Sequence, residues 1–167
     1  MLHITEIRIN HLKEPKGVSG NLNLGWVMES GHRNVLQKSY QIQIAEDSSF
    51  KNVLYDTGRM ESGQSQNLSV DSSEIPMESL RYYYVRVRLW DNHEDESGWY
   101  AARFLTALLK EQWKADFITA ERLKDKNHSP ATRLRKKFFI KKPLKNAFLV
   151  AAAQGLYQTF LNGSRVG

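Results

Sequence analysis

Leu80-Arg81-Tyr82-Tyr83-Tyr84-Val85-Arg86-Val87-Arg88-Leu89-Trp90-Asp91 is the stretch on which the fold turns. In an extended chain Tyr83, Val85, Val87 and Leu89 fall on one side, and Tyr82, Tyr84, Arg86, Arg88 and Trp90 on the other. Strict alternation with β-branched and aromatic residues throughout is the period-two pattern of a half-buried antiparallel strand. Wound as a helix, the same residues would spread charge over every face. The stretch therefore reads as a central strand, and its neighbours are the other segments that share its period.

Working outward from it, Ile7, Ile9 and His11 alternate up to a turn at 13–17 that contains Pro15. Leu22, Leu24, Trp26 and Met28 alternate up to Ser30-Gly31. Tyr40, Ile42 and Ile44 face in while Ser39, Gln41 and Gln43 face out. Val53 and Tyr55 form a short strand closed by Asp56-Thr57-Gly58, and a less regular strand spans 66–70. Beyond the central strand, an acidic loop over 92–98 leads to Tyr100–Thr106, with Ala102, Phe104 and Thr106 on one face. Seven short strands with turn signals at this spacing predict a β-sandwich. Pro15, Pro76, Pro130 and Pro143 all lie between these segments, where a missing ladder donor does no harm.

The charge is unevenly placed. Residues 1–110 hold 12 Lys and Arg against 14 Asp and Glu, whereas 111–167 hold 12 against 4, so the net +6 comes from the second part. A basic tail can be a nucleic-acid footprint. With no aromatic stacking platform or nucleic-acid motif beside Arg133–Lys145, it reads instead as a solvated strand face or a surface meant for a further segment, and no nucleic-acid partner is expected. There is no cysteine, hence no disulfide, thiolate metal site or cysteine nucleophile. No apolar run has membrane-spanning length and no leader pattern opens the chain. A soluble protein is expected, its compartment left open.

After residue 110 the pattern changes. Leu105, Leu108, Leu109, Trp113 and Phe117 fit helical spacing, which predicts a short connecting helix. Residues 121–130 form a polar loop. Leu134, Phe138 and Ile140 alternate with cations as a strand with one wet face, and 146–153 is apolar enough to be covered on both sides. Tyr157–Leu161 runs into Asn162-Gly163, a strong two-residue hairpin signal. The chain stops too soon after that turn to supply the return strand of the hairpin, so 131–167 reads as a second β-domain cut off before it closes, with an apolar edge open to self-association.

Candidate chemistry is thin. Glu94-Asp95-Glu96 offers carboxylates, but adjacent loop acids are ordinarily solvated. His3, His11, His32, His93 and His128 show no ligand spacing. His93 with Asp91 and Asp95 lacks the alternating oxygens and placed glycine of a calcium loop. Asn67-Leu68-Ser69 and Asn162-Gly163-Ser164 are sequons by pattern alone. No catalytic residue, cofactor-binding residue or metal ligand is assigned. The candidate functional face is Tyr82, Tyr84, Arg86, Arg88 and Trp90: flat rings with flanking donors suit sugar rings, and they equally suit cover by a second domain or by outer strands. Trp26, Trp99 and Trp113 read as core or interface anchors.

Two resemblances follow from these residues. Met77, six positions before Tyr83, with Val85 and Val87 beyond it, resembles the corner of a fibronectin type III-like domain, where the tyrosine hydroxyl bonds back to the backbone. The ordered set Leu24-Gly25-Trp26, Tyr40-Gln41-Ile42, Tyr55-Asp56-Thr57-Gly58, Tyr83 to Asp91, Ser97-Gly98-Trp99, Phe104, Trp113, Ile118, Leu134 to Phe138, Ala147, Gly155, Tyr157 and 161–167 resembles the N-terminal region of bacterial α-L-rhamnosidases. That resemblance implies a fibronectin type III/immunoglobulin-like β-sandwich at 1–108, a linker at 109–130, and a truncated β jelly-roll segment at 131–167. The helical barrel that hydrolyses rhamnosides by inversion with two glutamates would lie elsewhere. The implied partners are the downstream jelly-roll and catalytic domains, with rhamnosides as possible ligands.

Overall fold

The computed structural model describes residues 1–109, 113–119, 131–144 and 146–166. It divides into two compact units, Met1–Trp113 and Lys114–Gly167. The first contains β1 (Leu2–Ile9), β2 (Lys16–Val18), β3 (Leu22–Ser30), β4 (Gln37–Ala45), β5 (Val53–Asp56), β6 (Met60–Glu61), β7 (Leu68–Val70), β8 (Tyr82–Asp91) and β9 (Tyr100–Thr106). One sheet runs β1-β3-β7. The other runs β2-β9-β8-β4-β5, with β6 also on β4.

The alternation of β8 holds at every residue. Tyr83, Val85, Val87 and Leu89 are fully buried and the five residues between and beside them are half-buried. Across β4 the register sets Val87 against Ile42 and Val85 against Ile44, and across β9 it sets Tyr83 against Phe104. Ile7, Ile9, Leu22, Leu24 and Trp26 join the same core. At about 1.5–3 kcal/mol for each large apolar side chain removed from water, this cluster is what stabilises the sandwich.

The corner before β8 forms as expected. The Glu78 N–H donates to the Tyr83 hydroxyl at 2.8 Å, and Met77 is buried beside it. Buried Thr106 ties the end of β9 to the same corner: its hydroxyl donates to Glu78 O at 2.6 Å and accepts from the Arg81 N–H at 3.0 Å.

Several expectations are corrected. β1 starts at Leu2, and a register shift between Ile4 and Glu6 leaves Thr5 as an extra residue. The bulge reverses side-chain parity, so Leu2 and Ile4 as well as Ile7 and Ile9 are buried. His11 does not continue the strand, because the chain turns through positive φ at Asn10 and His11. β2 was hidden in the turn around Pro15; it pairs parallel to β9. Ser39 and Gln41 face away from the core, yet both are buried. Leu105 belongs to β9, opposite Tyr82 and Lys16, and no α-helix occurs among the described residues. Part of the helix-spaced run, and most of the 109–130 linker with its 121–130 loop, lies outside them.

In the second unit the Asn162-Gly163 hairpin forms. β10 (Thr159–Leu161) pairs antiparallel with β11 (Ser164–Val166), and φ is positive at both turn residues, as a type I′ turn requires. A three-residue return strand is therefore present, contrary to expectation. The strands expected at 134–140 and 146–153 are not formed: among the described residues these segments have no ladder partner. Phe139 and Leu156 stand 90% and 107% exposed. Extended apolar chain without a facing sheet has nothing to bury it.

Candidate functional site

The face of β8 opposite the core is built from strand geometry. Period two places Arg86 and Arg88 on one surface with Trp90, and the β4 register sets Gln43 against Arg86 and Gln41 against Arg88. Arg86 Nε donates to Gln43 Oε1 at 2.7 Å. Arg88 donates to Gln41 Oε1 through Nε at 2.9 Å and Nη2 at 2.8 Å. Both glutamine amides then donate to one carboxylate, Gln41 to Asp56 Oδ1 at 2.7 Å and Gln43 to Asp56 Oδ2 at 2.6 Å. Arg88 Nη1 reaches Glu96 at 3.0 Å. Burial works to raise the Asp56 pKa, but the Gln41 and Gln43 donors, the Gly58 N–H and the Arg88 charge outweigh it and hold it below the usual carboxylate range.

Above this hydrogen-bonded layer the guanidinium groups lie over aromatic rings. Arg86 sits 4.3 Å from the ring centres of both Phe50 and Trp99. Arg88 sits 4.6 Å from Trp99 and 4.8 Å from Trp90, and Arg59 lies 4.5 Å from Trp90. The result is a continuous series Phe50–Arg86–Trp99–Arg88–Trp90–Arg59. At partly desolvated sites each such contact contributes about 0.5–2 kcal/mol. Arg59 is anchored beneath by Ser39 Oγ at 2.8 Å, which accounts for the burial of Ser39.

Of the five expected residues, Arg86, Arg88 and Trp90 are thus brought together. Tyr82 and Tyr84 lie toward the other end of the strand, where Arg103 stands over Tyr82 at 5.3 Å and pairs across from Tyr84. Phe50, Arg59 and Trp99 were missed because they arrive from outside the strand. The Gln41-Ile42-Gln43 spacing was the available signal: it matches Arg86-Val87-Arg88 once the two strands pair. Trp99 is not a core anchor but part of this half-buried outer face, and Trp113 is 47% exposed, whereas Trp26 is in the core as expected.

A family described as Rha78A-like, N-terminal immunoglobulin domain, has a model that matches residues 4–110. The chain belongs to that family. The α-L-rhamnosidase of Formosa agariphila is 23% identical to it over 195 aligned residues, which cover 99% of this chain and 20% of that protein. Two solved structures share the fold of this Rha78A-like immunoglobulin domain. The Streptomyces avermitilis α-L-rhamnosidase complexed with L-rhamnose matches with a TM-score of 0.66 and 24% identity over 72% of this chain and 12% of that one. The α-L-rhamnosidase from Dictyoglumus thermophilum matches with 0.61 and 23% identity over 71% and 14%. The chain thus spans about a fifth of the curated relative's length and less of the solved ones.

The remaining candidates in this Rha78A-like domain separate. Glu96 turns to Arg88, and Asp95 lies 3.5 Å from His32 Nε2. Asp91 Oδ1 accepts the backbone N–H groups of His93 and Asp95 at 2.8 and 3.0 Å. Asp91, Asp95 and Glu96 thus each turn to a different partner. No helix of the described residues is long and apolar enough to cross a membrane.

Proposed function

We propose that residues 1–108 are a non-catalytic accessory domain of an α-L-rhamnosidase-like glycoside hydrolase, that 109–130 are a linker, and that 131–167 supply the first strands of a jelly-roll domain. The parent enzyme would remove terminal α-L-rhamnosyl residues by inversion, with its acid and base on residues outside this chain, and the domain would serve it as a scaffold. The observation that carries this reading is the self-contained outer face of β8. Its arginines are spent on glutamines and on neighbouring rings, and its carboxylates on those glutamines and arginines. A surface wired in this way is suited to rigidity. Inverting hydrolysis instead needs an acid and a base roughly 6.5–9.5 Å apart with room for water between them.

Incubation of the purified chain with an aryl α-L-rhamnoside is expected to release no aglycone above a buffer blank. Release that co-elutes with the chain and disappears in an Asp56→Asn, Glu96→Gln double variant would overturn the proposal.

A second reading has its own support: Tyr82, Tyr84 and Trp90 each keep part of their surface open to solvent, so a sugar could stack there. Titration with L-rhamnose would then shift the Trp90 indole resonance, and Trp90→Ala would abolish binding. The exposed apolar chain of the second unit also favours self-association. The full chain is expected to sediment as oligomers at tens of micromolar, and Phe139→Lys with Leu156→Lys to shift it toward monomer. Purely monomeric sedimentation of the parent chain would remove that proposal.

A further inference from the structure

The outer face of the β1-β3-β7 sheet is built differently from that of β8. Arg8 pairs with Gly25 across β1 and β3, and both positions lie on the outer face because Ile7, Ile9, Leu24 and Trp26 on either side of them are buried. With no side chain at Gly25, the sheet carries a recess of about 240 Å³ there, whose lining includes Arg8, His11, Asn23, Gln66 and Asn67. Its walls are two fixed turns. In one, Ile9 and Leu12 exchange both backbone hydrogen bonds, at 2.9 and 3.0 Å. In the other, the Trp26 N–H donates to Ser65 O at 2.9 Å, and Gln64 Nε2 donates to Gln66 O at 2.9 Å and to Asn67 O at 3.2 Å. His11 and Asn67 are held at positive φ, 66° and 55°, a conformation that residues other than glycine seldom adopt.

We propose that this recess binds one small polyhydroxylated carboxylate, of the chemical class of the uronic acids. Arg8 spends Nε on Glu6, which also takes Lys13, and its two Nη groups have no partner among the described residues. A guanidinium with free terminal nitrogens takes a carboxylate through two parallel N–H···O bonds. The side chains of His11, Asn23, Gln66 and Asn67 likewise have no hydrogen-bond partner among the described residues. On the other sheet, by contrast, the Gln41 and Gln43 amides are each engaged by Asp56 and an arginine. Three amides that can both donate and accept suit hydroxyl groups, which do the same. The recess offers no ring for stacking, since Trp26 is 3% exposed. A neutral sugar would therefore lack its usual apolar contact, and the charge has to supply the affinity. A volume of about 240 Å³ falls below the roughly 300–1,000 Å³ of sites for drug-sized molecules, so the occupant is a single small ring. The recess and Trp90 lie on different sheets, and its occupancy is independent of any hydrolysis of rhamnosides.

The test is a titration of the isotope-labelled full chain with sodium D-glucuronate, followed by amide NMR at constant ionic strength. A dissociation constant of about 1 mM is expected for a ligand of this size, with the largest shifts at the Gly25 and Asn67 amides and none at the Trp90 indole. Arg8→Gln should weaken binding at least about tenfold, as loss of a charge-assisted pair does. Asn67→Gly, which keeps the positive φ, should weaken it several-fold, while Arg33→Gln leaves it unchanged. Acetate has the charge without the hydroxyls and D-glucose the hydroxyls without the charge, so neither should shift these amides at the same concentration. The shift pattern is read in the parent chain and does not depend on how well a variant folds. No shift at about 10 mM glucuronate, tenfold above the expected constant, would overturn the proposal. So would equal shifts from acetate or from glucose, or an affinity undiminished in Arg8→Gln.

Discussion

Tyr83→Ala is expected to destabilise the sandwich by about 3–5 kcal/mol, and Tyr83→Phe by about 1–2 kcal/mol, in urea unfolding followed by tryptophan fluorescence. The two numbers separate two jobs of one side chain. The ring is fully buried and stacks on Phe104 with centroids 5.9 Å apart and planes at 29°. Truncating it opens a cavity between β8 and β9 that a packed interior cannot close. The hydroxyl contributes differently, because it accepts the Glu78 N–H at 2.8 Å and so fixes the chain where it crosses from one sheet to the other. Phenylalanine keeps the ring and leaves that N–H without its acceptor. If Tyr83→Phe unfolds within 0.3 kcal/mol of the parent (about the precision of such comparisons), the corner is an ornament of packing and not a lock.

Gln37→Leu should cost about 2–4 kcal/mol in the same assay, although the substitution is nearly equal in volume and more apolar. Gln37 is buried at the start of β4. Its Oε1 accepts the Trp26 indole N–H at 2.9 Å, and its Nε2 donates to Ser62 O at 2.9 Å and Gln64 O at 2.8 Å. One amide therefore satisfies three groups from two parts of the chain, and leucine satisfies none. Trp26 is itself 3% exposed, so water cannot take over its N–H. Gln37→Glu distinguishes loss of donors from loss of acceptor. It keeps an oxygen for Trp26 but sets a carboxylate against two carbonyls, so burial favours its protonated form. Its stability should rise as pH falls toward the carboxylate range, while that of Gln37→Leu should not. Equal stability of Gln37→Leu and the parent would mean that these three groups find other partners.

What the sequence made legible was period, and what it hid was anything that broke period or came from far away. The β8 alternation names both its faces without ambiguity, and Asn162-Gly163 marks its hairpin because only a turn with positive φ at two positions suits that pair. The first strand was half read, since Leu2 and Ile4 are out of phase with Ile7 and Ile9 until one extra residue is allowed at Thr5. β2 has three residues and follows a proline, too little for any pattern. In the outer face, Arg86, Arg88 and Trp90 could be listed from one strand. Phe50, Arg59 and Trp99 sit at unrelated positions, and nothing local says that rings will settle on those guanidinium groups. The helical spacing of Leu105 to Phe117 misled for a physical reason: Leu105 has ladder partners on both sides, and tertiary pairing outweighs a weak local preference. The segments at 134–140 and 146–153 have strand-like sequences, but a strand exists only with a neighbour to pair with.

The extra residue at Thr5 also bears on how this molecule behaves in company. β1 lies at the border of its sheet, with β3 its one ladder partner among the described residues, and an eight-residue border of straight backbone would offer amide groups in a regular row to any passing chain. The kink interrupts that row near its middle, so a stranger could align with one half or the other and never with both. The sandwich thus guards its own rim by geometry.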